Sequence, residues 1–284
     1  MALAALTVVL TIVGVSAANP VARNDRNHNA AQPELVPLIE PTGPQPAATR
    51  TTPDPVLAAA AAALLANPPA EARGRYIHIS METWSSELSD TAGPAIRPER
   101  RQTWFDPDTR RTYEQMFRLP AVSAASFQPA QMIGRTDFSR GEFSDGLGTM
   151  PASSMRPPVP DQAAALLQQM MDGGTTSVAG AVDFVSGIYS DTYPSVAVRA
   201  AAINALASID GLIVDPAAID WLGRRGISIT GASPAGYTST VVISLSDGMV
   251  LASSSRFDAV PGAPTSWALY LDNTRTDQRP MIGN

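Results

Sequence analysis

Two aspartates beside two arginines are the first residues whose types and spacing could do chemistry. In WFDPDTRRTY, Asp106 and Asp108 stand two residues apart and precede Arg110 and Arg111. A calcium loop is one possibility, but it needs about six oxygen ligands, and no DxDxDG-like spacing follows. Proline restricts φ, and aspartate side chains bond nearby backbone N–H groups. The stretch Asp106-Pro107-Asp108-Thr109 therefore predicts a turn between two strands.

Missing residue types exclude several classes of site. The 284-residue chain contains no cysteine and no lysine. Disulfides, thiolate nucleophiles, cysteine metal sites, lysine Schiff bases and a phosphate-loop lysine are therefore excluded. The two histidines are His28, in a polar proline-rich segment, and His78. A Ser–His–Asp triad would rest on His78 alone, and a two-histidine zinc site is not expected.

The charge balance bears on partners and cofactors. The net charge is −6 and the pI is about 4.9. Nucleic-acid binding needs a clustered basic face, which this balance does not favour. We therefore expect no nucleic-acid partner, and the missing residue types lead us to expect no metal and no cofactor.

The first eighteen residues are apolar and uncharged. Residues 1–18 are long for a signal-peptide core and short for a comfortable membrane span of about 20 residues. They predict either a membrane anchor or a cleaved signal peptide. No basic residue precedes Arg23, and one explanation is a start site further upstream. On either alternative the folded part is extracytoplasmic, held at the cell membrane or secreted.

Composition divides the rest of the chain into three parts. Residues 19–52 are rich in Pro, Asn, Gln and Thr and predict a disordered stalk. Residues 53–276 predict one folded domain, and residues 277–284 a tail. The domain starts with DPVLAAAAAALLA, which has high helix propensity and can be capped by Thr52 or Asp54.

The pattern then changes to period two. In RYIHISMETW, Ile77, Ile79 and Met81 face one way and the residues between them face the other, which predicts a strand with one buried face. We therefore expect Glu82, like Glu87, to face water. The strands ERRQTWF and RTYEQMFRL follow, on either side of the aspartate turn.

Three helices and a second set of strands complete the domain. Asp161, Ser177 and Pro194 are expected to open the helices. The strands LIVDPAAIDW, RRGISITGA, STVVISLSDGMVLASSSRF and SWALYLDNT follow, with a tight hairpin at Ser246-Asp247-Gly248. Strands, a helical insertion and more strands predict an α+β domain with one antiparallel sheet.

The segment YPSVAVRAAAINALASIDGLIVDPAAIDWLGRRGISI resembles the signature of a family of uncharacterised actinobacterial membrane-anchored envelope proteins. The upstream RYIHIS strand and the ERRQTWFDPDTRR hairpin fit as well. The resemblance implies a fold similar to the LolA and RseB lipoprotein-carrier and sigma-regulator domains: a curved antiparallel half-barrel with helices packed on it. The matching positions are Pro194, Arg199, Ala200, Ala201, Leu206, Ala207, Gly211, Asp220, Gly223, Arg224 and Gly226.

Two sets of residues are candidates for binding. Aromatic residues on the strands could line a cavity for an acyl chain or a peptide; the alternative is a core between sheet and helices. The cavity candidates are Tyr76, Trp84, Trp104, Tyr113, Phe117 and Trp267, with Tyr270 nearby.

The second set is the cluster DWLGRRG. Asp220, Arg224 and Arg225 could present an arginine surface to an acidic partner or a lipid head group. Alternatively, one arginine ties Asp220 within a turn. Arg199, in the middle of a predicted helix, could pair with a carboxylate of the sheet; the alternative is a solvated or structural pair.

These features favour a non-enzymatic, membrane-anchored extracytoplasmic domain that binds a hydrophobic ligand or a partner protein, as an envelope sensor or regulator. One alternative is a secreted hydrolase that uses His78 with a serine. The other is a purely structural envelope protein.

Overall fold

The computed structural model describes residues 50–89, 93–123, 142–149, 159–172, 177–257 and 266–278. The predicted membrane or signal segment 1–18 and nearly all of the predicted stalk lie outside these ranges. No helix within them is long and apolar enough to cross a membrane.

The described residues form four helices and ten strands. The helices are α1 (Pro55–Ala66), α2 (Ala163–Asp172), α3 (Val178–Asp191) and α4 (Val196–Ala207). The strands are β1 (Tyr76–Ser89), β2 (Gly93–Asp106), β3 (Arg111–Arg118), β4 (Val122–Ser123), β5 (Glu142–Thr149), β6 (Ile213–Ile219), β7 (Arg225–Ala232), β8 (Tyr237–Ser244), β9 (Val250–Phe257) and β10 (Ser266–Thr276).

One curved, open antiparallel sheet contains all the strands. Its order is β5-β3-β2-β1-β10-β9-β8-β7-β6, and the short β4 pairs with β2. The first and last long strands, β1 and β10, therefore meet in the middle and join two meanders. Helices α2 to α4 are inserted between β5 and β6. This confirms the predicted α+β fold with an N-terminal helix and a three-helix insertion.

Local capping explains where the helices begin. The Asp54 carboxylate accepts hydrogen bonds from the Val56 and Leu57 N–H groups, as predicted for α1. The Ser177 hydroxyl caps α3 in the same way. The prediction that Pro194 opens α4 was wrong by two residues, because the helix begins at Val196 and its cap is Ser195.

The helices cover one face of the sheet, which we call the helical face. Strand residues such as Ile79, Ile229 and Val241 form the main apolar core with α1 to α4. The N-terminus of α3 lies so close to β7 that a Cβ built on Gly231 would come within 2.6 Å of the Val178 carbonyl. Glycine at this position therefore sets how closely helix and sheet pack.

The opposite face, which we call the aromatic face, is also buried in part. Trp84 and Ile96 belong to an apolar cluster that contains no residue of the four described helices. Glu82 is only 1% exposed. The prediction that β1 has one buried face and that Glu82 faces water was therefore wrong, because alternation marks two faces but does not say which of them is covered.

Candidate functional site

The turn after β2 is held together by Asp106, the first of its two aspartates. Asp106 is buried, and its carboxylate accepts bonds from the Asp108 and Thr109 N–H groups and from the Thr109 hydroxyl. The Arg75 guanidinium also binds it, with Nη2 at 2.7 Å from Oδ2. These bonds, led by that of Arg75, lower the pKa of Asp106 to about 2. The predicted turn is confirmed.

The aromatic cavity candidates lie in two separate clusters on the aromatic face. Tyr76, Trp104 and Tyr113 form one cluster, and Trp84 and Trp267 belong to the other. Within the described residues these rings pack against one another and do not surround a single cavity. The alternative of a sheet–helix core is also wrong for them.

The remaining two aromatic candidates lie apart from these clusters. Phe117 pairs with Arg100 and so shares the aromatic face, where it is half-buried. Tyr270 packs in the core of the helical face.

His78 lies beside the first cluster and has two polar neighbours. Its ring stacks on Trp104, with centroids 4.7 Å apart. Nδ1 lies 3.1 Å from Asp272 Oδ2, and Nε2 lies 3.4 Å from Gln102 Oε1. In a Ser–His–Asp triad a serine hydroxyl would bind Nε2. Here Gln102 takes that place.

The turn between β6 and β7 is held by a buried carboxylate. Asp220 accepts bonds from the Leu222 and Arg224 N–H groups at 3.0 and 2.8 Å. The Arg224 guanidinium binds the other oxygen, with Nε at 2.7 Å, and also donates to the Leu251 carbonyl of β9. Asp220 and Arg224 are therefore bound to each other, as the structural alternative predicted.

The same turn exposes apolar side chains and one cation. Ile219 and Leu222 are 50% and 43% exposed, and Arg225 is exposed as well. We call these three residues the tip surface. Large exposed apolar side chains on a rigid turn next to an arginine are typical of contact surfaces. Arg225 is thus the one member of the predicted arginine set whose position suits a partner.

Arg199 has a structural role, as one of the alternatives predicted. Its guanidinium is buried in α4 and donates to the Pro194 and Asp247 carbonyls at 3.0 and 2.6 Å. Its ionic neighbour is Glu71, at 3.6 Å, which precedes β1 in the chain. Arg199 therefore ties α4 to the β8–β9 turn and does not pair with a sheet carboxylate.

A polar cluster under α3 could not be found from the sequence. Asp183 of α3 accepts a 2.5 Å bond from the Ser239 hydroxyl of β8. Burial raises the pKa of Asp183 and of the neighbouring Tyr237. The two bonded residues are 56 positions apart, and neither stands in a motif, so no local signal linked them.

Glu82 is a buried carboxylate on the aromatic face. Arg100 lies opposite it on β2 and donates both Nε and Nη2 to Oε1. Burial raises the pKa of Glu82, and the bonds from Arg100 oppose that effect. The other oxygen, Oε2, has no hydrogen-bond partner, and neither has Nε1 of Trp84.

A small cavity lies on the helical face between α1 and the sheet. Its volume is about 10 Å³, close to what one water molecule needs. Such a volume cannot hold an acyl chain. The lining includes Leu57, Leu64, Ile203, Ile229, Ile243 and Leu245.

Comparisons with known proteins add little to this geometry. No family model matches the chain, and no curated protein matches it. Among solved structures, the chain is similar to one in the complex of MucA and MucB from Pseudomonas aeruginosa, with 9% sequence identity and a TM-score of 0.27. The match covers 69% of this chain and spans about half (51%) of that one. The resemblance to actinobacterial envelope proteins therefore stays a prediction.

Proposed function

We propose that the chain is a non-enzymatic extracytoplasmic domain with a LolA/RseB-like half-barrel, held at a membrane through residues 1–18, that binds a partner protein. The tip surface of Ile219, Leu222 and Arg225 is the contact. An apolar segment of the partner that carries a carboxylate for Arg225 would fit it.

The observation that carries this proposal is the combination of a rigid turn and an exposed tip. Four bonds to Asp220 hold the backbone of the turn and the Arg224 side chain. A surface that is already ordered loses less conformational entropy when it binds. Leu222 and Ile219 nevertheless remain in water, where they contribute nothing to the core.

Two further observations favour a protein partner over a lipid or a catalytic role. The candidate aromatic residues pack against one another, so an acyl chain would have to separate them. Among the described residues, the ring nitrogens of His78 lie against Asp272 and Gln102 and not against a serine hydroxyl.

Native mass spectrometry of the full chain, purified under mild conditions from the cells that produce it, tests the proposal. We expect a bound protein mass. The double variant Leu222→Asp, Arg225→Glu should lose it, and Leu65→Asp, which changes an exposed leucine of α1, should keep it. A retained mass of lipid size, or a protein mass that both variants keep, would contradict the proposal.

A further inference from the structure

Two residues on the aromatic face of β1 each have a buried polar atom without a partner. Glu82 and Trp84 are 1% and 2% exposed, and Oε2 of the first and Nε1 of the second make no hydrogen bond. The two residues are two positions apart on β1, so both side chains project from the same face, with a repeat of roughly 7 Å. Buried polar groups are nearly always hydrogen-bonded. One acceptor and one donor at this spacing therefore point to a bound group that offers both.

The charges at this place favour a neutral group. Arg100 binds Glu82 through Oε1 alone, which leaves Oε2 bare but balances the charge of the carboxylate. A cationic ligand would add an uncompensated charge to a buried site, which is costly. An amide needs no such compensation, because its N–H can donate to Oε2 and its carbonyl can accept from the Trp84 indole.

The walls around the two atoms are apolar. Trp267 lies opposite Trp84 on β10, with ring centroids 4.5 Å apart, and Leu269 lies opposite Glu82. Ile96 and Ala252 belong to the same cluster. A ligand would therefore need an apolar or aromatic group beside its amide.

Trp221 covers this cluster from the β6–β7 turn. It is half-buried and packs against the cluster, and it is the one of the chain's four tryptophans that lies outside a strand. The bonds to Asp220 hold the backbone of the turn but not the indole. The next residues are the exposed Leu222 and Gly223, and a Cβ on Gly223 would meet nothing within 4 Å.

We propose that Glu82 and Trp84 bind the backbone amide of a peptide segment of the partner protein, and that an apolar side chain of this segment replaces Trp221 against Trp267. The inference rests on the proposed function and deepens it. Trp221 and the tip surface belong to one turn, so a partner bound at the tip would reach this site directly.

The test uses the four tryptophan indoles of the chain as nuclear magnetic resonance reporters. Indole ¹⁵N–¹H signals of the full chain are assigned with single Trp→Phe variants and followed during titration with N-acetylphenylalaninamide. We expect a saturable downfield shift of the Trp84 signal at millimolar probe, because the indole gains an acceptor. Phenethylammonium, which has the ring and a charge but no amide, should cause no such shift.

Variants separate binding from structure. Glu82→Gln should weaken probe binding by about tenfold, measured on the Trp267 signal, because Oε2 is changed or reoriented. Trp221→Ala should tighten binding by roughly threefold or more, because the cover no longer competes. A purely structural role of Trp221 would predict weaker binding instead. Trp104→Phe, in the other aromatic cluster, should leave the affinity unchanged.

Three outcomes would overturn the inference. A Trp84 signal that does not move would show that Glu82 Oε2 and Trp84 Nε1 bind water and not an amide. Tighter binding of phenethylammonium than of the amide would assign the place to cations. Equal affinity of the probe for Trp221→Ala and for the wild type would show that Trp221 does not compete with the ligand. None of these results bears on the tip surface, whose test is the partner mass described above.

Discussion

Asp106 and Asp108 stand two residues apart in one turn, yet their surroundings differ in kind. Asp106 is buried beneath Arg75 and the turn backbone, whereas Asp108 is exposed. The type and spacing of these residues predicted a turn, but not the bond to Arg75, which is 31 positions away. Local turn chemistry is visible in sequence, and long-range ion pairs are not.

We expect Asp106→Asn to destabilise the fold by about 1–3 kcal/mol at neutral pH, because it weakens charge-assisted bonds to a buried group. The folded pKa of about 2 lies below the ordinary value of 3.8. The contribution is therefore complete above about pH 4 and is lost as the pH falls towards 2. Urea unfolding of wild type and variant across this range measures it.

Asp108→Asn is the matched control for that experiment. This variant should change the free energy of unfolding by less than about 0.5 kcal/mol, as exposed substitutions usually do. If both variants lost the same stability, or if the difference between Asp106→Asn and wild type did not shrink at low pH, the account of the turn would be wrong.

Arg110 closes this turn in a conformation that suits glycine. Its φ is 57°, and its Nε and Nη2 atoms are buried without partners. The left-handed region costs a non-glycine residue roughly 1–2 kcal/mol. Glycine avoids this cost, but it offsets part of the gain because its backbone loses more conformational entropy on folding. We therefore expect Arg110→Gly to stabilise the protein by roughly 0.5–1 kcal/mol, which calorimetry would show as a higher Tm.

Arg110→Ala separates the effect of the positive φ from that of the unpartnered guanidinium, since it removes the guanidinium but keeps the Cβ. Its Tm should fall below that of Arg110→Gly. Equal values for the two variants would mean that φ carries no strain here.

At the scale of elements, α3 sits on β7 because Gly231 leaves room for it. We expect Gly231→Ala to cost about 1–3 kcal/mol, because the new methyl group would overlap the Val178 backbone. Ser228→Ala, on the same strand but the opposite face, is the control and should cost much less. Chemical denaturation measures the free energy of unfolding of both variants. Equal stability of the two variants would contradict the close packing of α3 on β7.

Element positions were largely predictable, but the covered faces were not. Helix caps at Asp54 and Ser177 and the alternation in β1 are local patterns, and the structure confirms them. Which face of β1 is buried depends on strands and turns far away in the chain, such as the turn that carries Trp221. Glu82 and Trp84 were therefore placed on the correct face, but the burial of that face could not be foreseen.

At the scale of the whole molecule, the sheet is joined through its first and last long strands. β1 pairs with β10 on one side and β2 on the other, whereas β6 is an edge strand with a proline and an irregular register. We expect backbone amides of β1 and β10 to exchange with solvent most slowly and those of β6 much faster. Uniform protection across the sheet would contradict this division.

The tip surface lies at the β6 end of that sheet. Of its three residues, only Arg225 was a candidate from the sequence, because DWLGRRG is dense in charged residues and turn formers. The exposure of Ile219 and Leu222 followed from the fold alone.

The most direct measurement replaces Leu222 with a photo-crosslinking amino acid in the full chain, inside the cells that produce it. We expect one dominant adduct with an extracytoplasmic protein, which Arg225→Glu weakens severalfold. The same crosslinker at Leu65 should give no such adduct. An equal pattern of adducts at both positions, or none at Leu222, would contradict a partner-binding role for this surface.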